Sequence, residues 1–280
     1  MKFRQHGVAI VLAMGVVALA AMAATAMMVA QSTWSRQVEL ITGHAQSQLI
    51  LQAGLDWARA VLSDDRRISN VDYAGETWSL RLPPISIENG SLTGLIEDQQ
   101  GKFNLNNLLK SGKLNVAQLA HFRRLLSILA MPAGLADALA EWIKTGNRAL
   151  IDVGELAQVP GFEENVRIRL RPFVTALPRF TAVNANTASP EVLAAVIEGL
   201  GLDDARAVVA QRERIHFRSY ADFFRELPPG LIVPSENISV GSEYFLATMR
   251  VTINGALARG SALLVREKAD WPVIVWRKNS

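Results

Sequence analysis

Residues 8–30 read VAIVLAMGVVALAAMAATAMMVA, 23 positions without a charge. As a helix rising 1.5 Å per residue this run is roughly 35 Å long, enough to cross a hydrocarbon layer of about 30 Å. Its eight Val, Ile and Leu residues each favour insertion by roughly 0.3–0.6 kcal/mol, and no charge opposes them. Lys2 and Arg4 precede the run and no acidic residue does, which places the N-terminus on the cytoplasmic side by the positive-inside bias. Trp34, just past the far end, suits the opposite interface.

Three arrangements fit such a start. A secretory signal peptide has an apolar core of roughly 7–15 residues, shorter than this one, although Ala24-Thr25-Ala26 has the small-x-small form of a cleavage site. A plain signal anchor is the second. The third is a prepilin leader, a short basic peptide ending in Gly and cut on the cytoplasmic side. Gly7–Val8 fits that cut, because Gly lets the backbone extend without a side-chain clash.

Working outward, the helical pattern continues without Pro until Pro83. Trp34, Val38, Ile41 and Ala45 fall at 4-3-4 spacing, and Leu51, Leu55, Ala58 and Leu62 repeat it out of phase. One helix is expected from Val8 to about Val61, with its second half packed on a globular body and gentle bends at Gly43 and Gly54. Ser63 to Asn70 is polar and reads as a loop. Thr77 to Leu82, Ser86-Ile87 and Leu92 to Glu97 alternate like strands, as do Tyr244 to Ile253, Ala256 to Val265 and Val273 to Trp276. Asn254-Gly255 is a strong hairpin signal. Between these strands, Leu114 to Leu231 reads as helical, with caps at Asn115, Asp152, Ser189 and Ser219. LAQVPG, LAAVIEG and FRELPPG recur there, each ending in a turn glycine (Gly161, Gly199, Gly230). A helical unit therefore interrupts a strand-rich domain.

Composition narrows the function. The 280 residues are 50% hydrophobic and 20% charged, which excludes a wholly disordered chain, and their mean hydropathy of +0.17 is high for a soluble domain. With no Cys there is no disulfide, thiol nucleophile or Cys-based zinc site. A net charge of +3 is too small for a nucleic-acid-scale basic surface. His6, His44, His121 and His216 stand at no metal-ligand spacing, and no G-x-S-x-G, HExxH or Walker sequence occurs, so no catalytic, cofactor or metal residue is assigned and an enzyme is not expected. The segment from Val183 onward resembles the helix-hairpin-helix of competence-type DNA receptors, Gly199-Leu200-Gly201 matching its turn and Ala205 its close helix contact. Asp203 and Asp204 open the following helix where a phosphate binder favours Lys or Arg. A membrane-anchored DNA-binding protein is thus the alternative reading, and no nucleic acid is expected.

Six stretches follow one another along the chain: QHG-VAIVLAMGVVAL, IEDQQGKFNLNNLL (Ile96 to Leu109), ADALAEWI (Ala136 to Ile143), DVGELAQVPGF, VNANTASPEVLAAV and SEYFLATMRVTING…ALLVREK. On these motifs, and across nearly its whole length, the sequence resembles the K-type minor pseudopilins of type II secretion systems. This resemblance implies an α+β fold in which a pilin-like long N-terminal helix packs on an antiparallel sheet, with a large α-helical domain inserted. The expected divisions are a leader over 1–7, a transmembrane helix over 8–30, its periplasmic continuation over 31–63, the sheet from 64–99 and 236–280, and the insertion over 100–235. The resemblance further implies prepilin-peptidase cleavage between Gly7 and Val8, N-methylation of Val8, and a single-pass inner-membrane protein with its bulk in the periplasm. Its partners would be the I- and J-type minor pseudopilins at the pseudopilus tip, where it would control initiation and length during protein export. Ordinary pilins carry Glu at the fifth mature position; here Leu12 stands there. A mid-bilayer charge costs roughly 2.5–3.5 kcal/mol, so a subunit with no predecessor to pair with is better served by Leu. Some relatives bind calcium in an acidic loop after the ADALAEWI helix, but here Lys144 to Arg148 is short and basic, and no calcium is expected there.

Overall fold

The structure, a computed structural model, describes residues 6–146, 148–253, 256–267 and 271–279, without the side chains of 6–8, 40 and 256. Helix α1 (His6–Ile68) is continuous over 63 residues, roughly 95 Å. Only its C-terminal part is packed. Leu51, Leu55, Ala58 and Leu62 are fully buried, whereas Trp34, Val38, Ile41 and Ala45 are exposed, so the first of the two apolar stripes is left uncovered by the described residues.

The buried stripe lies on a five-stranded antiparallel sheet, β1 (Leu82–Ile87), β2 (Gly90–Asp98), β3 (Tyr244–Ile253), β4 (Ala256–Val265) and β5 (Val273–Asn279), paired in that order. Alternation along β3 turns Phe245, Ala247, Met249, Val251 and Ile253 toward α1, where they form one core with Leu92, Ile96 and Leu264. Asn254-Gly255 lies outside the described residues; the flanking pair is Ile253 with Ala256. Gly54 acts here as room for close packing: a Cβ on it would stand 3.2 Å from Met249 Sδ, and one on Gly94, across the same sulfur, 2.5 Å.

Two local expectations change. Thr77–Ser79 is a 3₁₀ turn and not a strand, because Trp78 turns inward, donates its indole N–H to Glu76 at 2.7 Å and packs edge-on against Phe245. The first strand starts later, at Leu82, and carries Pro83 and Pro84 on the sheet edge, where a missing N–H breaks no ladder. Ser63 to Ile68 is helical and not a loop, because the end of α1 is held from outside, as described below.

The chain leaves the sheet after Asp98 and returns at Tyr244, on the strand immediately beside β2. The intervening segment builds its own core around Phe103, Phe122, Leu125, Leu139 and Phe223. Its helices are α2 (Val116–Ile128), α3 (Gly134–Gly146), α4 (Glu164–Leu170), α5 (Pro190–Val196), α6 (Leu202–Arg214) and α7 (Tyr220–Arg225). Asn115, Ser189 and Ser219 each accept a backbone N–H at a helix start, and Asp152 caps a 3₁₀ turn (Val153–Gln158) in place of the α-helix its pattern suggested. Gly161, Gly199 and Gly230, which close the three recurring phrases, all have φ between +84° and +89°. The architecture is α+β: a long helix on an antiparallel sheet, with a helical domain inserted between adjacent strands.

Replacing Leu55 by Ala removes side-chain volume from the middle of the helix–sheet core without disturbing the helix. We expect a loss of about 2–5 kcal/mol in chemical denaturation of the full chain in detergent, against little change for Ile41→Ala on the exposed stripe.

Candidate assembly surface and its anchoring joint

From Ile10 to Leu49, α1 presents large apolar side chains that no other described residue covers. Leu12 is 64% exposed, Trp34 69%, Ile41 71% and Leu49 72%. The N-terminal part has a mean hydropathy of 2.3 over its most apolar window and is long enough to span a membrane. A lipid core accommodates about 20 helical residues, so it accounts for the run over 8–30 but not for Ile41 and Leu49 further along. The backbone of Gly7 and Val8 lies within α1, while residues 1–5 and the Val8 side chain fall outside the described residues.

This stalk joins the body through a buried polar joint. Arg266, fully buried at the end of β4, forms ion pairs with Asp65 on the last turns of α1 and with Asp72 in the following segment, and donates to the carbonyl oxygens of Leu62 and Ser242. Its guanidinium also lies 4.7 Å above the Phe245 ring. Next to it, Asp98 at the end of β2 accepts from Ser242 Oγ at 2.7 Å, Thr187 Oγ1 at 2.5 Å and Asn184 Nδ2 at 3.0 Å. Asn184 also donates to the Asp72 carbonyl. Tyr73 stacks on His216 at 3.8 Å, a further link between the segment after α1 and the insertion.

The two asparagine-rich motifs serve the same end. In VNAN, Asn186 donates to Phe217 O and accepts from Phe217 N, fixing the segment after α6. In FNLN, Asn106 both donates to and accepts from the Leu150 backbone and Asn104 accepts from Leu177 N, while Asn107, the next residue, both donates to and accepts from the Thr181 backbone. Buried side-chain amides cost free energy unless their bonds are made, and here they substitute for secondary structure in linking distant loops.

Carboxyl oxygens of Asp65, Asp72 and Glu76 converge within 4.8 Å. Arg266 already bridges the first two, so the cluster has its cation built in. The sequence-based expectation about residues 144–148 concerns a segment with two cations and no carboxylate: Lys144 pairs with Glu141 at 3.6 Å, Arg148 pairs with Glu155 at 3.1 Å, and Asn147 lies outside the described residues. This donor set does not fit calcium, which takes six to eight oxygens. At the α5–α6 hairpin, Gly199 and Gly201 flank buried Leu200, and Arg124 of α2 donates to the carbonyls of Ile197 and Leu200 at 2.9 and 2.6 Å. Asp204 sits over the start of α6 and Asp203 pairs with Arg206, so carboxylates stand where a phosphate would approach.

A long apolar helix left bare by its own body and seated on an antiparallel sheet is the layout of a pilin-type subunit. Comparisons with known proteins place this one. Two family models, both described as type II secretion system (T2SS), protein K, match residues 101–179 and 183–241, the spans that contain FNLN and VNAN. Type II secretion system protein K of Pseudomonas aeruginosa is 31% identical over 90% of this chain and 86% of its own length. That of Aeromonas hydrophila is 27% identical over 79% and 81%. The crystal structure titled as the GspK-GspI-GspJ complex from the enterotoxigenic Escherichia coli type 2 secretion system contains a chain of the same fold, with a TM-score of 0.75 at 20% identity, covering 87% of this chain and 99% of that one. The chain belongs to the protein K family of type II secretion systems, a family of minor pseudopilins.

Loss of hydration in the joint pushes the Glu76 carboxyl up to about 7, and burial likewise raises Asp98 and Asp65 above the usual carboxylate range. A proton held more tightly in the folded than in the unfolded chain contributes stability below the unfolded value, near 4.5 for Glu76, which is lost as pH rises through about 7. We expect the urea midpoint to fall between about pH 5 and pH 8, and to fall less in Glu76→Gln, whose amide oxygen still accepts from Tyr73 N and Trp78 Nε1.

Proposed function

We propose that the protein is a structural, non-enzymatic subunit at the tip of the periplasmic pseudopilus, assembling with I- and J-type minor pseudopilins and influencing filament initiation and length during protein export. The observation that carries this reading is the exposed apolar surface of α1 beyond a bilayer's reach, at Ile41 and Leu49. Water-exposed apolar surface of that extent on an isolated helix calls for neighbouring helices. The chain similar to this one in fold comes from a complex of K, I and J proteins, which supports partners of that type. Leu12 favours a terminal position, since the amine of a preceding subunit is not there to neutralise a Glu. An insertion the size of a domain between β2 and β3 suits a fibre end, where it is not stacked repeatedly.

In this reading the chain is inserted in the inner membrane with its N-terminus cytoplasmic, trimmed by the prepilin peptidase after Gly7 and N-methylated on Val8. Neither calcium at residues 144–148 nor a cofactor takes part. The α5–α6 hairpin works as an internal strut braced by Arg124 and not as a nucleic-acid site.

Co-expression with a prepilin peptidase followed by mass spectrometry of the intact protein tests this. We expect the product to begin at Val8 and to carry one added methyl group. A chain starting at Met1 in the presence of active peptidase, or at Met27 after signal-peptidase cleavage, would refute the assignment.

A further inference from the structure

The sheet face turned away from α1 forms one wall of a groove of about 630 Å³; α4 and the residues around Asp152 form the other. This volume is within the range of ligand-binding clefts, and the groove is open to solvent along one side. Five cations line it: Lys102, Arg167 and Arg171 on the insertion side, and Arg259 and Lys278 on the strands. Two carboxylates answer them, and both are taken, Asp152 by Lys278 at 2.6 Å and Glu164 by Arg167. Lys102, Arg171 and Arg259 have no carboxylate partner among the described residues. The surplus of three positive charges in this groove equals the formal net charge of the entire chain.

Unmet hydrogen-bonding capacity points the same way. Arg167 Nε and Trp276 Nε1 are sealed from solvent without an acceptor, and both residues line the groove. A buried donor left unpaired costs about 1–3 kcal/mol, so both side chains gain if they turn toward an acceptor in the groove. Burial, together with the neighbouring Arg171, lowers the Lys102 pKa, although Glu97 and Asp98 act to raise it. An anion placed between Lys102 and Arg171 relieves both effects. Ile168, Leu246 and Leu263 add apolar wall between the charges.

We propose that this groove binds a carboxylate-rich peptide segment of a partner protein. Carboxylates accept without donating, and so match a lining of unpaired donors. The cations stand on both walls, which suits several carboxylates spaced along a chain better than one small ion. The groove lies on the opposite sheet face from the α1 contact, so its occupancy stands independently of the pseudopilus reading.

The test uses the full-length chain in non-ionic detergent, with fluorescence anisotropy of a labelled decapeptide of alternating Glu and Ala and of its Gln–Ala counterpart. We expect the Glu peptide to bind, and the Gln peptide to bind about tenfold more weakly or worse. Replacing Lys102 by Met together with Arg171→Gln should weaken Glu-peptide binding about tenfold, and Arg259→Gln, an exposed strand position that leaves folding intact, about threefold. Lys110→Gln, on the exposed surface away from the groove, should change nothing. Equal binding of the two peptides, or equal losses for Lys110→Gln and Arg259→Gln, would overturn the proposal. So would displacement of the peptide by inorganic phosphate at the peptide's own concentration, which would make the groove a small-anion site.

Discussion

The buried guanidinium of Arg266 is the point on which the rest of the molecule depends. It lies where the end of α1, the segment after it, the entry to β3 and the exit of β4 meet, and it contacts each of them. An ion taken out of water is costly unless its charge and hydrogen bonds are met, and breaking such a buried pair typically costs about 3–5 kcal/mol. Asp98 closes the arrangement from β2 and hands it on to the insertion through Asn184 and Thr187. The helix–sheet core and the core of the inserted domain, which are separate, are thereby locked at one polar node.

The second constraint is the imbalance within α1. Its C-terminal part is satisfied by the sheet, with Leu51, Leu55, Ala58 and Leu62 fully buried, while its N-terminal part is left uncovered by the described residues. A bilayer is thick enough to cover one stretch and too thin to reach another, between Trp34 and Leu49. The fold thus presents an incomplete surface, in a chain that belongs to a secretion-system pseudopilin family.

The repeated physical cues were readable from residues alone: the uncharged run over 8–30, the stripe from Leu51 to Leu62, the alternation along Tyr244 to Ile253, and the turn glycines whose positive φ values match their recurrence. Effects set by distant partners were not. The last turns of α1 look polar because Ser63 to Arg67 lack apolar residues, yet Arg266, two hundred residues further on, holds them helical. The stripe from Trp34 to Ala45 has helical spacing, but spacing does not say whether a helix face meets its own body or another chain. FNLN and VNAN were legible as family marks and not as hydrogen-bonding devices. One signal for the joint was present: Arg266 continues the inward phase of Ala262 and Leu264, and a charge in that register requires a buried counter-charge. The groove had no sequence signature, since its five cations come from four separate segments.

The central claim is that the bare face of α1 above the membrane is covered by neighbouring subunits. Site-specific photocrosslinking from Ile41 in cells making the complete secretion system tests it most directly. The account requires adducts with other pseudopilins from Ile41 and none from Leu55, which its own sheet encloses. A reactive group at Ile41 that captures only lipid or solvent while secretion proceeds would contradict it.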